Sequence, residues 1–377
     1  MHSKPLLYLK KVLLISATIL LPFFVIEIGY RIVDPYPYYG EDITKNRVNF
    51  DRHDPLLGWS GVPGEKGWIY TRSNRVYFEN NSLGFRDIEH DARNFKPAIV
   101  FLGGSYVWGY DTRTENMFVN LLRDKLPGFE IFNLSNVCYG NDQELLLLQD
   151  WQNKYEGQLK LVILMFTDFD VERNSSNMQC ERWKPKFEIT NDKLVLTGVP
   201  VPNIGEWRDE EEPVSNDTDS WKAKIKKIMF NSYSLHALYD RYLHIKYETP
   251  TINEKHDENE KPYKATKEDL ILTSRILEEI DRIVRARGGE LIVFFVPSFI
   301  EGKVESSYHL EINKLCVDLG IESYDLGPYF EKAWWRTYVR DGKHWNDYGN
   351  KIAAEAIYDI IKNEKVLALR PHDATDK

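Results

Sequence analysis

Ala98-Ile99-Val100-Phe101-Leu102-Gly103-Gly104-Ser105 is the stretch on which the fold turns. An unbroken apolar run reads as a strand covered on both faces, because a strand with one wet face alternates apolar and polar residues. The two glycines then let the chain turn sharply, and Ser105 stands just past the strand's end. The same unit recurs downstream. Thr114 can cap a helix over Met117, Phe118, Leu121, Leu122 and Leu126, and Pro127 closes it. Residues 130–134 read as a second strand, 143–155 as a second helix and 161–166 as a third strand, apolar throughout. Buried strands alternating with amphipathic helices predict an α/β fold with a parallel sheet covered by helices on both faces.

Farther out the rhythm breaks and resumes. Residues 171–265 read as an insertion or cap. They contain a hairpin over 187–196 turning at Asn191-Asp192, an acidic loop at 209–212, a charged stretch at 253–261, and a helix over 221–242 in which lysines and apolar residues interleave. That helix reads as part of the cap with a solvated face, or as a bilayer-surface helix. Thr266 can cap a helix through Ala286. A strand at 291–296, a helix near 310–319 and a short strand near 323–326 follow. The last helix starts near Asn346-Asp347 and brings Ile352, Ala353, Ala356, Ile357, Ile360 and Ile361 to one face. The globular domain is thus expected over 97–365, with a tail at 366–377.

Upstream, residues 31–96 are rich in Tyr, Pro, Gly and Asn without sustained periodicity, and read as a linker and irregular lead-in. Before them, Lys4, Lys10 and Lys11 precede an uncharged run, 12–26, that Glu27 interrupts and Ile28-Gly29-Tyr30 extends. Residues 12–30 are just long enough to span a bilayer as one transmembrane helix. Lysines before it and Arg31 after it place residues 1–11 in the cytoplasm and the rest outside, periplasmic or extracellular. A cleaved signal peptide and a buried helix are the alternatives; no small-x-small cleavage site follows Ile26.

Composition narrows the functional classes. The net charge is −9, which argues against a nucleic-acid partner. Cys138, Cys180 and Cys316 are too few and scattered for a disulfide framework or a zinc site. One disulfide and three free thiols are equally compatible with them. A buried thiol is the simpler reading of Cys138 than a nucleophile. No cofactor or metal is required.

In open parallel sheets, ligands bind at the carboxyl ends of the strands. Ser105 lies past the first strand, residues 168–170 past the third, and Asp341-Gly342-Lys343-His344 in the loop before the last helix. Three loops would converge on one sheet edge. A serine needs a base within reach, and the base needs an acceptor to fix its tautomer. Ser105, His344 and Asp341 are the expected nucleophile, base and orienter. Val107 stands where a Gly-x-Ser-x-Gly elbow would have glycine, so this is not an ordinary α/β-hydrolase turn. Trp334-Trp335, shortly before Asp341, could line an acyl pocket or simply pack in the core.

Phe101-Leu102-Gly103-Gly104-Ser105-Tyr106-Val107-Trp108-Gly109 resembles block I of the SGNH/GDSL hydrolases, and Asp341-Gly342-Lys343-His344-Trp345-Asn346 resembles their Asp-x-x-His block V. Asn133-Leu134-Ser135-Asn136-Val137-Cys138-Tyr139-Gly140 is similar to block II, and Asp168-Phe169-Asp170-Val171 stands where block III falls. Asn81-Ser82-Leu83-Gly84-Phe85-Arg86-Asp87 resembles the lead-in of membrane-anchored bacterial members. The resemblance covers about 80–170 and 285–360. It implies a flavodoxin-like three-layer α/β/α fold and ester hydrolysis or O-acyl transfer through a serine acyl-enzyme, with an acylated small molecule or envelope glycan as substrate. It places the oxyanion hole at the N–H groups of Ser105 and Cys138, with Gly140 two residues on. It also places Gly104 at the family's block I aspartate and Phe169 at its block III asparagine, where phenylalanine donates nothing. Asn136, Asn141 and Asn174 are the candidates to replace that donor. The rival expectation is a non-catalytic glycan-binding or assembly protein on a degenerate form of the same fold.

Overall fold

The computed structural model describes residues 4–33, 49–70, 75–91, 96–203, 232, 234–235, 263–300, 303–305, 309–331, 337 and 344–363. The chain divides into two units, Met1–Asn46 with Arg208–Ile252, and Arg47–Trp207 with Asn253–Lys377. The acidic loop at 209–212, nearly all of the 221–242 helix, the 253–261 stretch, Trp334-Trp335, Asp341 and the tail lie outside the described residues.

In the first unit, α1 (Lys4–Val33) contains the expected spanning segment. Among the described residues, no helix is long and apolar enough to cross a membrane, so the transmembrane helix expected over 12–30 is not shown by the structure. Glu27 interrupts the apolar run; its carboxylate accepts from Ser232 Oγ and from the Ser234 N–H, each at 2.9 Å.

The second unit carries the α/β core. Its sheet holds β1 (Ala98–Gly103), β2 (Glu130–Ser135), β3 (Leu159–Phe166), β4 (Glu290–Phe295) and β5 (Glu322–Asp325), in the order β5-β4-β3-β1-β2 and parallel throughout. This is the doubly wound order 2-1-3-4-5 of flavodoxin-like sheets. The period-two pleat divides each apolar strand between two cores. Val100, Leu102, Val162, Leu164, Val293 and Phe295 pack with α4 (Asn141–Lys154), α6 (Lys267–Ala286) and α7 (His309–Leu319). Ile99, Phe101, Ile163, Met165, Ile292 and Phe294 pack with α3 (Phe118–Lys125), α8 (Gly327–Phe330) and α9 (Asp347–Asn363). Helices on both faces explain why these strands carry no polar face, and they complete the expected three layers. A short helix, α5 (Asp170–Ser175), follows β3.

The hairpin turns at Asn191 and Asp192, both at positive φ, between Lys186–Thr190 and Lys193–Thr197. Thr266 caps α6, its side chain accepting from the Asp269 N–H at 3.2 Å. Thr114 caps nothing. It opens a 3-10 turn, Thr114–Asn116, and Met117 precedes α3. Its hydroxyl is held between Arg86 and the Tyr77 carbonyl.

The lead-in is more ordered than its composition suggests. Asp51–Asp54 pairs with Gly58–Gly61, and Lys66–Tyr70 with Arg75–Glu79. These strands are too short to show a period in sequence. Aromatic burial holds them, with Phe50, Phe78 and Trp108 in one cluster. Asn81 shapes the turn that follows, its side-chain oxygen accepting from the N–H groups of Leu83 and Phe85, both at 3.0 Å.

Candidate active site

Ser105 opens α2 (Ser105–Trp108) directly after the end of β1, beside the β1/β3 switch point of the sheet. Gly103 makes the tight entry possible: a Cβ there would come within 2.3 Å of Val107 Cγ2. Gly109 closes the short helix at φ +77°, a conformation that favours glycine. The hydroxyl of Ser105 lies 2.8 Å from Nε2 of His344, two residues before the Asn346 side chain that caps α9 by accepting from the N–H groups of Tyr348 and Gly349. The expected nucleophile and base, 239 residues apart, therefore meet at the carboxyl edge of the sheet. The rings of Tyr106 and Tyr110 flank the imidazole at 5.4 and 5.1 Å between centroids.

Asp341 lies outside the described residues. The carboxylate found beside the base is Asp111, whose Oδ2 is 2.9 Å from His344 Nδ1. The distance suits an ion pair, although Nδ1 does not point squarely at the oxygen as a well-aligned hydrogen bond would. Asp111 is almost wholly buried. Spacing from the histidine does not point to it in the sequence. The available signal was a carboxylate six residues past the nucleophile in a loop that must close over the sheet edge.

The oxyanion side differs from expectation in several places. Cys138 adopts a left-handed conformation, φ +65°, and forms a disulfide with Cys180. It is therefore not the buried thiol that the sequence reading favoured; Cys316 is. Cys180 sits at the tip of the hairpin formed by Met178–Gln179 and Arg182–Trp183. Gly140 spends its N–H in the helix cap, donating to Gln143 Oε1 at 3.3 Å, so Ser105 and Cys138 remain as the pair of expected backbone donors. Phe169 is more than half exposed. Asn136, Asn141 and Asn174 direct their amide groups at Asp51, Glu144 and Asn141 respectively, the last also at Thr273. Each is committed to a structural contact, which is why none stands in for the missing donor.

Gly104 has a physical partner as well. A Cβ there would lie 3.2 Å from Arg173 Nη1. The guanidinium fills the space where a side chain would go and donates to the Tyr139 carbonyl and to Asp170, both at 3.1 Å. Behind it, Lys184 Nζ donates to Asp142 and to the carbonyls of Arg173, Ser176 and Pro185. Asp142, Glu144 and Asp170 are thus buried beside two cations. Burial raises all three carboxyl pKa values, and the Asp170 charge adds to the rise at Glu144, which goes well above the ordinary range. Among the described residues no cluster could hold a metal ion.

No family model and no curated protein matches the chain. Solved structures similar to it include proteins described as an SGNH hydrolase, a lipolytic G-D-S-L family protein and a GDSL-like lipase. TesA is 10% identical, with a TM-score of 0.37, over 71% of this chain and 98% of its own. A lipolytic protein of the G-D-S-L family from Veillonella parvula is 9% identical, TM-score 0.39, over 70% and 98%. Esterase EstA from Pseudoalteromonas is 10% identical, TM-score 0.36, over 71% and 97%.

Proposed function

We propose that the chain is a serine-dependent carboxylester hydrolase or O-acyltransferase that works through an acyl-enzyme. The observation that carries this reading is the 2.8 Å contact between Ser105 Oγ and His344 Nε2 at the ligand-binding edge of a parallel sheet. As Ser105 attacks an acyl carbonyl, its proton passes to His344. The carbonyl oxygen becomes an oxyanion facing the N–H groups of Ser105 and Cys138. The imidazolium then gives its proton to the leaving alkoxide. In the second half, water or a sugar hydroxyl loses a proton to His344 and attacks the acyl group, freeing Ser105. Hydrolysis and transfer differ only in that acceptor.

The proposed setting is extracytoplasmic, with residues 12–30 as a signal anchor and acylated envelope glycans as substrates. Two observations support it. Leu20, Leu21, Phe24, Val25 and Ile26 of α1 are exposed, an apolar surface that lipid would cover. The Cys138–Cys180 disulfide suits an oxidising compartment. One observation favours a second reading, a glycan-binding protein without chemistry: Phe169 offers no donor to the oxyanion.

A fluorophosphonate probe separates the two, since only an activated serine labels well. The catalytic reading expects labelling of the full-length chain that disappears in Ser105→Ala and in His344→Ala. An unlabelled wild-type protein would favour the binding reading.

A further inference from the structure

We infer that Arg173 is a positioning residue of the oxyanion hole: its guanidinium joins the turn that carries Ser105 to the loop that carries Cys138. This rests on the catalytic reading above and adds a member to the same site. The strands β3, β1 and β2 are neighbours in the sheet, and each ends in a loop at the site. Beyond the strand ends no ladder hydrogen bonds fix the spacing of those loops. A group that crosses from one to the next has to set it. Arg173, on α5 just after β3, crosses to both of the others.

Its contacts fall on the chain neighbours of the two expected backbone donors. Nη1 stands 3.2 Å from where a Cβ on Gly104, the residue before Ser105, would lie. The same nitrogen donates at 3.1 Å to the carbonyl of Tyr139, the residue after Cys138. The Gly104 Cβ position is itself 3.4 Å from that carbonyl oxygen, so the turn, the loop and the guanidinium meet at one point. Glycine at 104 leaves the room that the guanidinium occupies. At Gly140 the approach is closer still: a Cβ there would come within 2.7 Å of Arg173 Cβ.

The guanidinium is held in its turn. Nη1 also donates at 3.1 Å to Asp170 Oδ1, and the other oxygen of this buried carboxylate accepts from the Thr167 N–H at 2.7 Å, just past the end of β3. The ring of Phe169 lies 5.5 Å from the guanidinium carbon. The Arg173 carbonyl accepts from Lys184 Nζ at 2.9 Å. A planar fork held on this many sides sets direction as well as distance. Adjacent residues of the loop therefore have separate anchors: Cys138 the disulfide, Tyr139 the arginine. Oxyanion donors must sit within hydrogen-bond reach of the developing charge, and a misplacement of about 1 Å can cost about 10²-fold in rate.

A simpler role for Arg173 would be to balance the charge of Asp170, and the test separates the two. Hydrolysis of p-nitrophenyl acetate is measured for the full-length chain as wild type, Arg173→Ala, Arg173→Lys and the double variant Arg173→Ala/Asp170→Asn, with circular dichroism melts to check each fold. The double variant removes the carboxylate that Arg173→Ala alone would leave buried without its partner. Arg173→Lys keeps a cation beside Asp170, but lysine Nζ ends about where arginine Cζ stands, short of the Tyr139 carbonyl. The expected result is a kcat about 10²-fold below wild type in Arg173→Ala and equally low in the double variant, and about tenfold below in Arg173→Lys, with KM little changed in all three. A folded double variant, or a folded Arg173→Lys, with kcat within about threefold of wild type would overturn the assignment, because charge balance would then be the whole of the role. Failure of the catalytic reading has a different signature: a wild-type rate no greater than that of Ser105→Ala, so that no Ser105-dependent rate exists for Arg173 to affect.

Discussion

On one side of Ser105 the site is assembled from side chains far apart in sequence that meet at hydrogen-bonding distance: Ser105 with His344, and His344 with Asp111. On the other side the loop after β2 carries the expected oxyanion donor, Cys138, in a left-handed conformation. That loop is held from behind by a disulfide, a buried lysine–aspartate pair and an arginine under its carbonyl. The proton-transfer side needs particular atoms at particular distances. The oxyanion side needs a backbone shape, and any sufficient set of clamps can hold a shape. On the first side stand the expected serine and histidine; on the second, cysteine and phenylalanine stand where the sequence resemblance places glycine and asparagine.

The comparison can be broken most severely on the proton-transfer side. Ser105→Ala and His344→Ala should each reduce kcat by about four orders of magnitude or more. Folding should be nearly unchanged, because neither side chain supports the core. Retention of even a tenth of the rate in either variant would mean that this side is not the engine of the reaction.

The oxyanion side should fail through stability first. Lys184→Met removes the buried partner of Asp142, which should cost about 3–5 kcal/mol in chemical denaturation. Cys180→Ser removes the covalent clamp. It should cost about 2–4 kcal/mol and lower kcat about tenfold, with KM little changed, since it loosens one donor of the hole. Wild-type protein treated with a reductant should behave as this variant does, and the variant should ignore the reductant. If kcat stays at the wild-type value when the disulfide opens, Cys138 does not supply the donor.

Glu144 gives the comparison a pH axis. Its pKa is raised in the folded protein by burial first and by Asp170 second. A carboxyl whose folded pKa exceeds its unfolded value binds more protons when folded. Stability is therefore highest below the unfolded value of about 4.5 and declines as pH rises toward the folded pKa, by at most about 1.4 kcal/mol per pH unit. Glu144→Gln should flatten part of the fall in Tm as pH rises above about 5, while leaving Tm near pH 5 almost unchanged. A slope as steep as wild type would show that Glu144 is ionised in the folded protein. The smallest effect is expected at Phe169, whose exposed ring donates nothing: Phe169→Ala should change kcat for an acetyl ester by less than about threefold.

The legibility of the chain follows the same division. Strand and helix positions were readable because burial on both faces leaves uniformly apolar strands such as 161–166, and one-sided burial leaves the periodic stripe of α9. Ser105 and His344 were readable because each stands at a sheet-edge loop next to an interpretable element. The approach of Asp111 to His344 was not, because it depends on a loop closing across the sheet rather than on spacing from His344. The hairpins between 51 and 79 escaped because strands of four or five residues show no period. The disulfide escaped because three cysteines with no pattern do not announce which two will meet. The buried polar set around Lys184 was hidden for a related reason: charged residues in a helix cap and an inserted hairpin read as surface until the fold brings them together.

The central claim is that Ser105, activated by His344, forms an acyl-enzyme. Hydrolysis of p-nitrophenyl acetate by the purified full-length chain, wild type beside Ser105→Ala, tests it most directly. The account predicts a wild-type rate at least about a thousandfold above that of the variant. Equal rates in the two proteins would contradict it.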